Sequence, residues 1–452
     1  MSPVFSLVMI LIAIAAFMYV CMKGFPPQIA ALLVALFIML TSGIPLVSGS
    51  AIDVSGASNA GFDILMAGMA NFAGRYALTF LSGAIFGCVM SESGAAKVIA
   101  MKLAAIARNF KGHEQIAALW CLPIIGFILS YGGISAFVCF FTTIAVAKEL
   151  LEEMDLPWRL YGCHMAGDGV IALAMMPGSP SVNNVTAGSN LGTTALSGAA
   201  LGIIASVLML ILTHLYFVWE LSQVKKNEEH FLPTGARIKQ MNDVGDNREV
   251  KDRNVFLCLL PMILLWIIMN ILKQPVWIAT VIAIVVALIL FRDTTKGHEI
   301  AILRDGFARA TGATLTVAII TGMGNVIAAT PGYALVIDSL KNLPGPGYLQ
   351  VVIAVNIAAG ITASSSGGLT IALGNLKDHF LGMGLNPAAV HRISTISSGG
   401  LDSLPCSGTV LNEINVAGMT PAEAYRPFGV LSVLFPIIIA IVVSILASFG
   451  IA

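Results

Sequence analysis

The sequence predicts an all-α polytopic membrane protein made of two inverted repeats, each with a re-entrant hairpin and a proline-broken helix. Three observations predict it. The first is composition: 452 residues, 57% hydrophobic and only 11% charged, with a mean hydropathy of +0.89. A soluble domain carries about 25% charged residues. Many windows of roughly 20 apolar residues match the thickness of a bilayer core. The second is a polar interruption that occurs twice. Pro177-Gly178-Ser179-Pro180-Ser181-Val182-Asn183-Asn184 reappears as Pro405-Cys406-Ser407-Gly408-Thr409-Val410-Leu411-Asn412. The third is a run of further matches in the same order. Ile64, Leu65, Gly68, Met69, Ala70 and Gly74 correspond to Ile302, Leu303, Gly306, Phe307, Ala308 and Gly312. Gly94 and Gly332 keep that offset, and Gly132-Gly133 correspond to Gly367-Gly368.

Charge sets the relative orientation of the halves. The one long hydrophilic segment, Glu220 to Arg253, carries seven Lys and Arg. The connection Thr41 to Gly74 carries none, whereas its equivalent, Arg292 to Arg309, carries four. Downstream, Lys97, Lys102, Arg108 and Lys111 face a single Lys341 in the second half. Basic loops stay cytoplasmic, so equivalent loops lie on opposite sides. The expectation is an external N-terminus and a cytoplasmic linker over 220–253 in a cell inner (cytoplasmic) membrane.

The elements follow in order. Spans are expected near 4–22, 26–46 and 76–92. The first has no basic flank and no small-residue cleavage site, and reads as a retained helix rather than a signal peptide. Ala95 to Asn109 is amphipathic and fits an interfacial helix. Helices 115–129 and 134–150 flank the polar tip Ser130 to Ser135. The span 158–176 breaks at the first proline motif, and 197–219 closes the half. The second half runs 254–272, 276–291 and 312–329. Helices 347–363 and 369–381 then flank Ser364 to Gly368. The span 387–404 breaks at the second motif, and 427–449 follows. Units of 1–219 and 254–452 result. Scaffold helices lie in about 1–112 and 254–345, and transport elements in about 113–219 and 346–452.

Broken helices and hairpin tips carry the chemistry. Non-helical backbone at membrane depth is tolerated only where protein or a water-filled cavity surrounds it. A break frees N–H groups at one half-helix and carbonyls at the other, and the N-terminal ends attract anions. The candidate substrate-binding residues are Ser130, Gly132, Gly133, Ser135, Ser179, Ser181, Asn184, Ser364, Ser365, Ser366, Gly367, Gly368, Ser407, Thr409 and Asn412. Taken singly, such small residues equally well serve close helix packing; prolines and asparagines at matched places do not serve packing. Asp168, Asp402 and His391 are the candidates for proton or cation coupling. A stabiliser of the helix break is the other reading of each aspartate. For His164, His391 and Arg392 the favoured reading is a watery helix end.

What is missing narrows the class. No nucleotide-binding loop, zinc-protease motif, arginine ladder or potassium filter is present, and no basic run points to nucleic acid. An enzyme is not expected, and neither is a metal site or an organic cofactor. The seven cysteines show neither metal nor disulfide spacing.

Three stretches of the second half carry a family resemblance. They are Ser364-Ser365-Ser366-Gly367-Gly368-Leu369-Thr370-Ile371-Ala372-Leu373, His391-Arg392-Ile393-Ser394, and Ser398-Gly399-Gly400-Leu401-Asp402-Ser403-Leu404-Pro405. Together they closely resemble the gluconate permease (GntP) family, nearest its hydroxybutyrate permease-like branch. Pro177-Gly178-Ser179-Pro180 with Gly192-Thr193-Thr194-Ala195 is similar to that branch's first-half signature. The resemblance implies a symporter that imports a small hydroxy-monocarboxylate or sugar acid with protons or sodium ions. It also implies an ion-transporter-superfamily fold, with a homodimeric scaffold and a transport domain that moves as an elevator. The chain departs from the pattern at Cys406-Ser407-Gly408-Thr409 and at Ser181-Val182-Asn183-Asn184. The extra hydroxyls and asparagines there are available to tune a substrate or build a sodium site. Two alternatives stay open: a di- or tricarboxylate transporter of the same superfamily, and a cation/proton antiporter using Asp168 and Asp402.

Overall fold

The computed structural model describes residues 2–49, 52–131, 136–179, 181–240, 253–272 and 274–452. Among them there is no β-strand. The first half comprises α1 (Pro3–Met22), α2 (Pro27–Ser42), α3 (Gly61–Glu92), α4 (Ala95–Arg108), α5 (Glu114–Tyr131) and α6 (Ala136–Glu153). Two irregular helical segments follow, Trp158–Ala166 with tight turns and Gly167–Met175 with wide ones, and then α7 (Val182–Leu191) and α8 (Ala199–Lys226). The second half has α9 (Val255–Asn270), α10 (Val276–Leu290), α11 (Glu299–Ala328), α12 (Pro331–Leu340), α13 (Gly347–Thr362) and α14 (Ser365–Gly382). It closes with α15 (Pro387–Ser398), α16 (Gly408–Val416), α17 (Pro421–Phe428) and α18 (Phe435–Ser448). Six stretches are long and apolar enough to cross a membrane, among them α1, α3, α5, α8, α11 and the continuous Pro421–Ser448.

Local chemistry sets the helix ends. Pro3, Pro27, Pro331 and Pro387 open their helices, where the missing N–H costs nothing. Asn254, Thr330, Ser364 and Asn386 cap with their side chains, which satisfies donors that have no partner inside the helix. Thr420 and Glu423 form a reciprocal capping box.

The two halves interlock. α3 packs along α11, α2 lies on α11 as α10 lies on α3, and α1 lies on α12 as α4 lies on α9. The matched glycines explain the close approach. A methyl group on Gly68 would sit 2.9 Å from Gly322 Cα, and one on Gly306 would sit 2.7 Å from Ile85 Cα. Only glycine lets the two backbones come this near. The other helices gather elsewhere: α5 packs on the Trp158–Met175 segment, α13 on α15 and α18, and α14 on α7.

Several expected boundaries move. The spans 76–92 and 312–329 are the second halves of helices that begin at Gly61 and Glu299. Residues 61–74 and 299–309, read as connections, are therefore helical. Their glycines and polar residues look like loop in sequence, but Gly68 and Gly306 lie on the α3–α11 contact. The hydrophilic segment also starts inside α8, where Glu220 is fully buried.

Candidate functional site

The first break is closed by side chains from the second half. α7 begins at Ser181, whose hydroxyl accepts from the Asn184 N–H at 3.2 Å. The Asn184 amide donates to the Ser179 carbonyl at 3.1 Å and to the Ser181 hydroxyl at 3.2 Å. Its oxygen lies 3.1 Å from His391 Nε2 and accepts from Arg392 at 3.1 Å. That oxygen can only accept, so His391 carries its proton on Nε2 and Nδ1 accepts from the Thr193 hydroxyl at 2.7 Å. Arg392 donates further to the carbonyls of Met175 (3.3 Å), Ala195 (2.8 Å) and Ser197 (2.9 Å). Met175 ends the broken helix, and Ala195 and Ser197 lie in the loop before α8, where the Ala195 carbonyl also accepts from the Gly178 N–H at 2.9 Å. Room for the guanidinium stem comes from Gly198 and Gly202, where a methyl would fall 2.5 Å and 3.1 Å from Arg392 carbons. Gly198 has φ +64, a conformation that side-chain-bearing residues rarely adopt. Asn183 adds a cross-half bond to the Ser398 hydroxyl at 3.2 Å.

His391 and Arg392 are thus fully buried, which corrects the expectation of a watery helix end. A fork of five N–H donors suits a cluster of carbonyls, which is why arginine fits this place.

The second break is closed less fully: Tyr425 donates to the Ser403 carbonyl at 2.9 Å and Asn356 accepts from the Leu401 N–H at 3.3 Å, but among the described residues no side chain satisfies the start of α16. Ser407 starts α16 without a side-chain cap. Asn412, the counterpart of Asn184, is 1% exposed, yet neither its amide nitrogen nor its oxygen has a hydrogen-bond partner. Helical side chains lean toward the N-terminus, so its amide leans over the Gly408–Thr409 turn. Ser407 is buried and Thr409 half-buried. Buried amides without partners are rare and expensive.

The second hairpin tip is described in full. α13 ends at Thr362, Ala363 takes a left-handed φ of 51, and Ser364 accepts from the Gly367 N–H at 3.2 Å. A methyl on Gly368 would meet Ala359 Cα at 2.3 Å, so the two arms touch backbone to backbone. Ser364, Ser365, Ser366 and Gly367 remain half-buried. Asp402 accepts from the Ser403 hydroxyl at 3.0 Å, and Ser365 lies near its carboxyl. Gly132, Gly133 and Ser135, of the first hairpin tip, lie outside the described residues. Ser130 is buried, its hydroxyl 3.5 Å from the Asp168 carbonyl.

Asp168 sits in a cluster that the sequence only partly revealed. His164 Nδ1 lies 3.0 and 3.1 Å from the two Asp168 oxygens. His164 Nε2 lies 3.3 Å from Glu413 Oε2. All three side chains are buried. Glu413 went unnoticed in sequence because it follows the second motif on a short helix with no long apolar window. Its place directly after Asn412 was the available signal. A separate buried group lies at the start of the linker. There Glu220 pairs with both Arg159 and Arg426, and Arg159 also donates to Glu229 at 2.6 Å.

The contacts cross over. The helical segment before the first break sends His164 to Glu413 beyond the second. The helix before the second break sends His391 and Arg392 to Asn184 beyond the first.

No protein-family model matches the chain. It is 25% identical to a Bacillus subtilis (strain 168) protein described as the uncharacterized transporter YxjC, over 93% of this chain and 94% of that one. The Alcanivorax borkumensis YdaH transporter, known from a crystal structure, aligns over 97% of this chain and 98% of its own. Its identity is 13% and its TM-score 0.37, a likeness that carries no argument. The full-length sequence match and the multi-span helical architecture support a membrane transporter.

Proposed function

We propose that the chain is a secondary active symporter that imports a small hydroxy-monocarboxylate or sugar acid, gluconate-like or 3-hydroxybutyrate-like, with protons or sodium ions. The observation that carries this reading is the inequality of the two breaks. One is filled by the protein's own Arg392 and Asn184. The other leaves the start of a buried helix uncapped, with the unpartnered amide of Asn412 one turn further on. Donors at a helix N-terminus suit a carboxylate, and an amide that both donates and accepts suits a hydroxyl. The second hairpin meets the stretch before that break, where Asn356 of α13 accepts from the Leu401 N–H at 3.3 Å. Its half-buried serines complete the polar surface.

The gluconate permease resemblance of the Ser364–Leu373 and Ser398–Pro405 stretches supports the same substrate class. On this reading α3 and α11 belong to a homodimeric scaffold in the cytoplasmic membrane, with the 220–253 linker cytoplasmic and the elements around the breaks moving as one body. His391, with both ring nitrogens engaged, holds Asn184 in place and is not the proton carrier.

The test is uptake into proteoliposomes of gluconate, 3-hydroxybutyrate, lactate and citrate, with inward proton and sodium gradients imposed separately. Accumulation of one monocarboxylate under one gradient is the expected result. Accumulation of citrate alone would favour the di- or tricarboxylate reading. Cation flux with no organic uptake would replace the symporter by an antiporter.

A further inference from the structure

The geometry points to the gap between His164 Nε2 and Glu413 Oε2, braced by Asp168, as the seat of the coupling proton. The inference rests on the symporter reading and names its coupling ion.

An ionised carboxylate only accepts, and both Asp168 oxygens lie at hydrogen-bonding distance from His164 Nδ1. The Nδ1 position therefore carries a proton that it donates to Asp168. Across the ring, Nε2 faces Glu413 Oε2 at 3.3 Å. Neither atom has a hydrogen bond. With a neutral imidazole and an ionised Glu413, two lone pairs confront each other there. One added proton turns that repulsion into an attraction across the 3.3 Å gap, and a small turn of the Glu413 carboxyl then makes it a hydrogen bond. It sits on Nε2 or Oε2 according to which is the stronger base.

Charge gives the same count. Asp168 and Glu413 with a neutral His164 hold two negative charges, and one proton reduces them to one. The described cations nearby are already used: Arg159 and Arg426 by Glu220, and Arg392 by the first break. The other titratable groups facing the cluster are Tyr161, whose ring lies 4.5 Å from that of His164, and Cys139 on α6. Neither is a cation. Uncompensated charge is costly inside a membrane protein, so the cluster has a standing demand for one proton. A hard metal ion would want several oxygen ligands at once. Instead, the Tyr161 and Phe428 rings flank His164, and no group able to hold a metal occurs among the described residues.

The site also stands where coupling requires it. Glu413 directly follows Asn412, whose unpartnered, buried amide lies one turn from the start of the same helix. An anion arriving at the second break faces a cluster with two negative charges. Taking up the proton lowers that to one and weakens the repulsion, which favours proton binding before substrate binding. His164 and Glu413 belong to opposite halves, so the shared proton also joins them.

The experiment uses the full chain in proteoliposomes containing a pH-sensitive dye, with gluconate and 3-hydroxybutyrate as probes. In the wild type, uptake should acidify the lumen. In Glu413→Gln, exchange of internal for external substrate should stay within about threefold. Gradient-driven accumulation and lumen acidification should fall at least tenfold. His164→Gln should likewise lose accumulation and lumen acidification at least tenfold. Wild-type accumulation that follows a sodium gradient and not a proton gradient would overturn the site while leaving the symporter intact. So would a Glu413→Gln protein that still acidifies the lumen as it accumulates substrate. If Glu413→Gln fails to fold, the wild-type comparison of the two gradients decides alone. Absence of uptake of either probe by the wild type would remove the symporter reading, and the proton site with it.

Discussion

Arg392 donates to the amide oxygen of Asn184 at 3.1 Å, although 208 residues separate them. One guanidinium thereby ties the helix after the first break to carbonyls on both of its sides, at Met175, Ala195 and Ser197. Replacing it by methionine keeps the bulk and removes every donor. A buried group left without its partner costs about 1–3 kcal/mol. Arg392→Met should therefore lower the thermal unfolding temperature of the purified protein sharply, and its folded yield on size exclusion. Arg392→Lys should not restore it, because a single ammonium cannot span the same carbonyls.

The counterpart asparagines should respond in opposite ways. Asn184→Ala removes a saturated amide and should lower the unfolding temperature. Asn412→Ala removes one that has no partner, so stability should hold or rise. Its effect should appear in transport, as a KM for gluconate raised about 2–10-fold, the equivalent of one ordinary hydrogen bond. Melting curves and uptake kinetics on the same two proteins test both statements. A matching loss of stability in each would remove the distinction between the breaks.

The glycines of the repeat divide by what they face. Gly68→Ala and Gly306→Ala put a methyl within 2.9 Å of the opposing backbone, and overpacking of this kind costs about 1–3 kcal/mol. Gly312→Ala meets nothing within 4 Å, and alanine is the better helix former by about 1 kcal/mol. The first two should melt earlier than the wild type and the third no earlier. A thermal-shift series in one detergent checks the order.

Outside the membrane-spanning segments, Asp155 accepts from His230 at 2.7 Å and from the Phe231 N–H at 3.2 Å. The His230 bond is the larger cause that holds its carboxyl below the usual range. A depressed carboxyl stabilises the fold above its unfolded value of about 3.9. That contribution disappears as pH falls through the lower, folded value. Both side chains are more than 60% exposed, so the effect should stay below about 1 kcal/mol. Asp155→Asn should flatten the acid limb of unfolding temperature against pH and leave the neutral region nearly unchanged.

Much of the architecture was legible because its signals are local. Apolar windows, prolines at breaks, serines at a hairpin tip and a fixed spacing of glycines are all readable without tertiary information. The roles of the polar residues were not. His391 and Arg392 look like the wet end of an amphipathic helix until Asn184 and the Met175, Ala195 and Ser197 carbonyls are brought to them from the other half. Glu413 draws no attention on its nine-residue helix until His164 is set beside it. The first turns of α3 and α11 read as connections because glycines that serve a backbone-to-backbone contact weaken the apolar pattern used to find spans. The two asparagines are identical in sequence pattern, and only their surroundings tell them apart.

The crossed contacts also set a timetable for synthesis. At roughly 5–20 residues per second, the ribosome needs about 10–40 s to travel from Asn184 to Arg392, and somewhat longer from His164 to Glu413. Throughout that interval the newly inserted first half holds a polar break and a histidine–aspartate pair whose partners have not yet been made. The nascent chain is therefore at its most vulnerable to membrane quality control when it is half finished. A chain cut short in the linker would present those groups to lipid permanently.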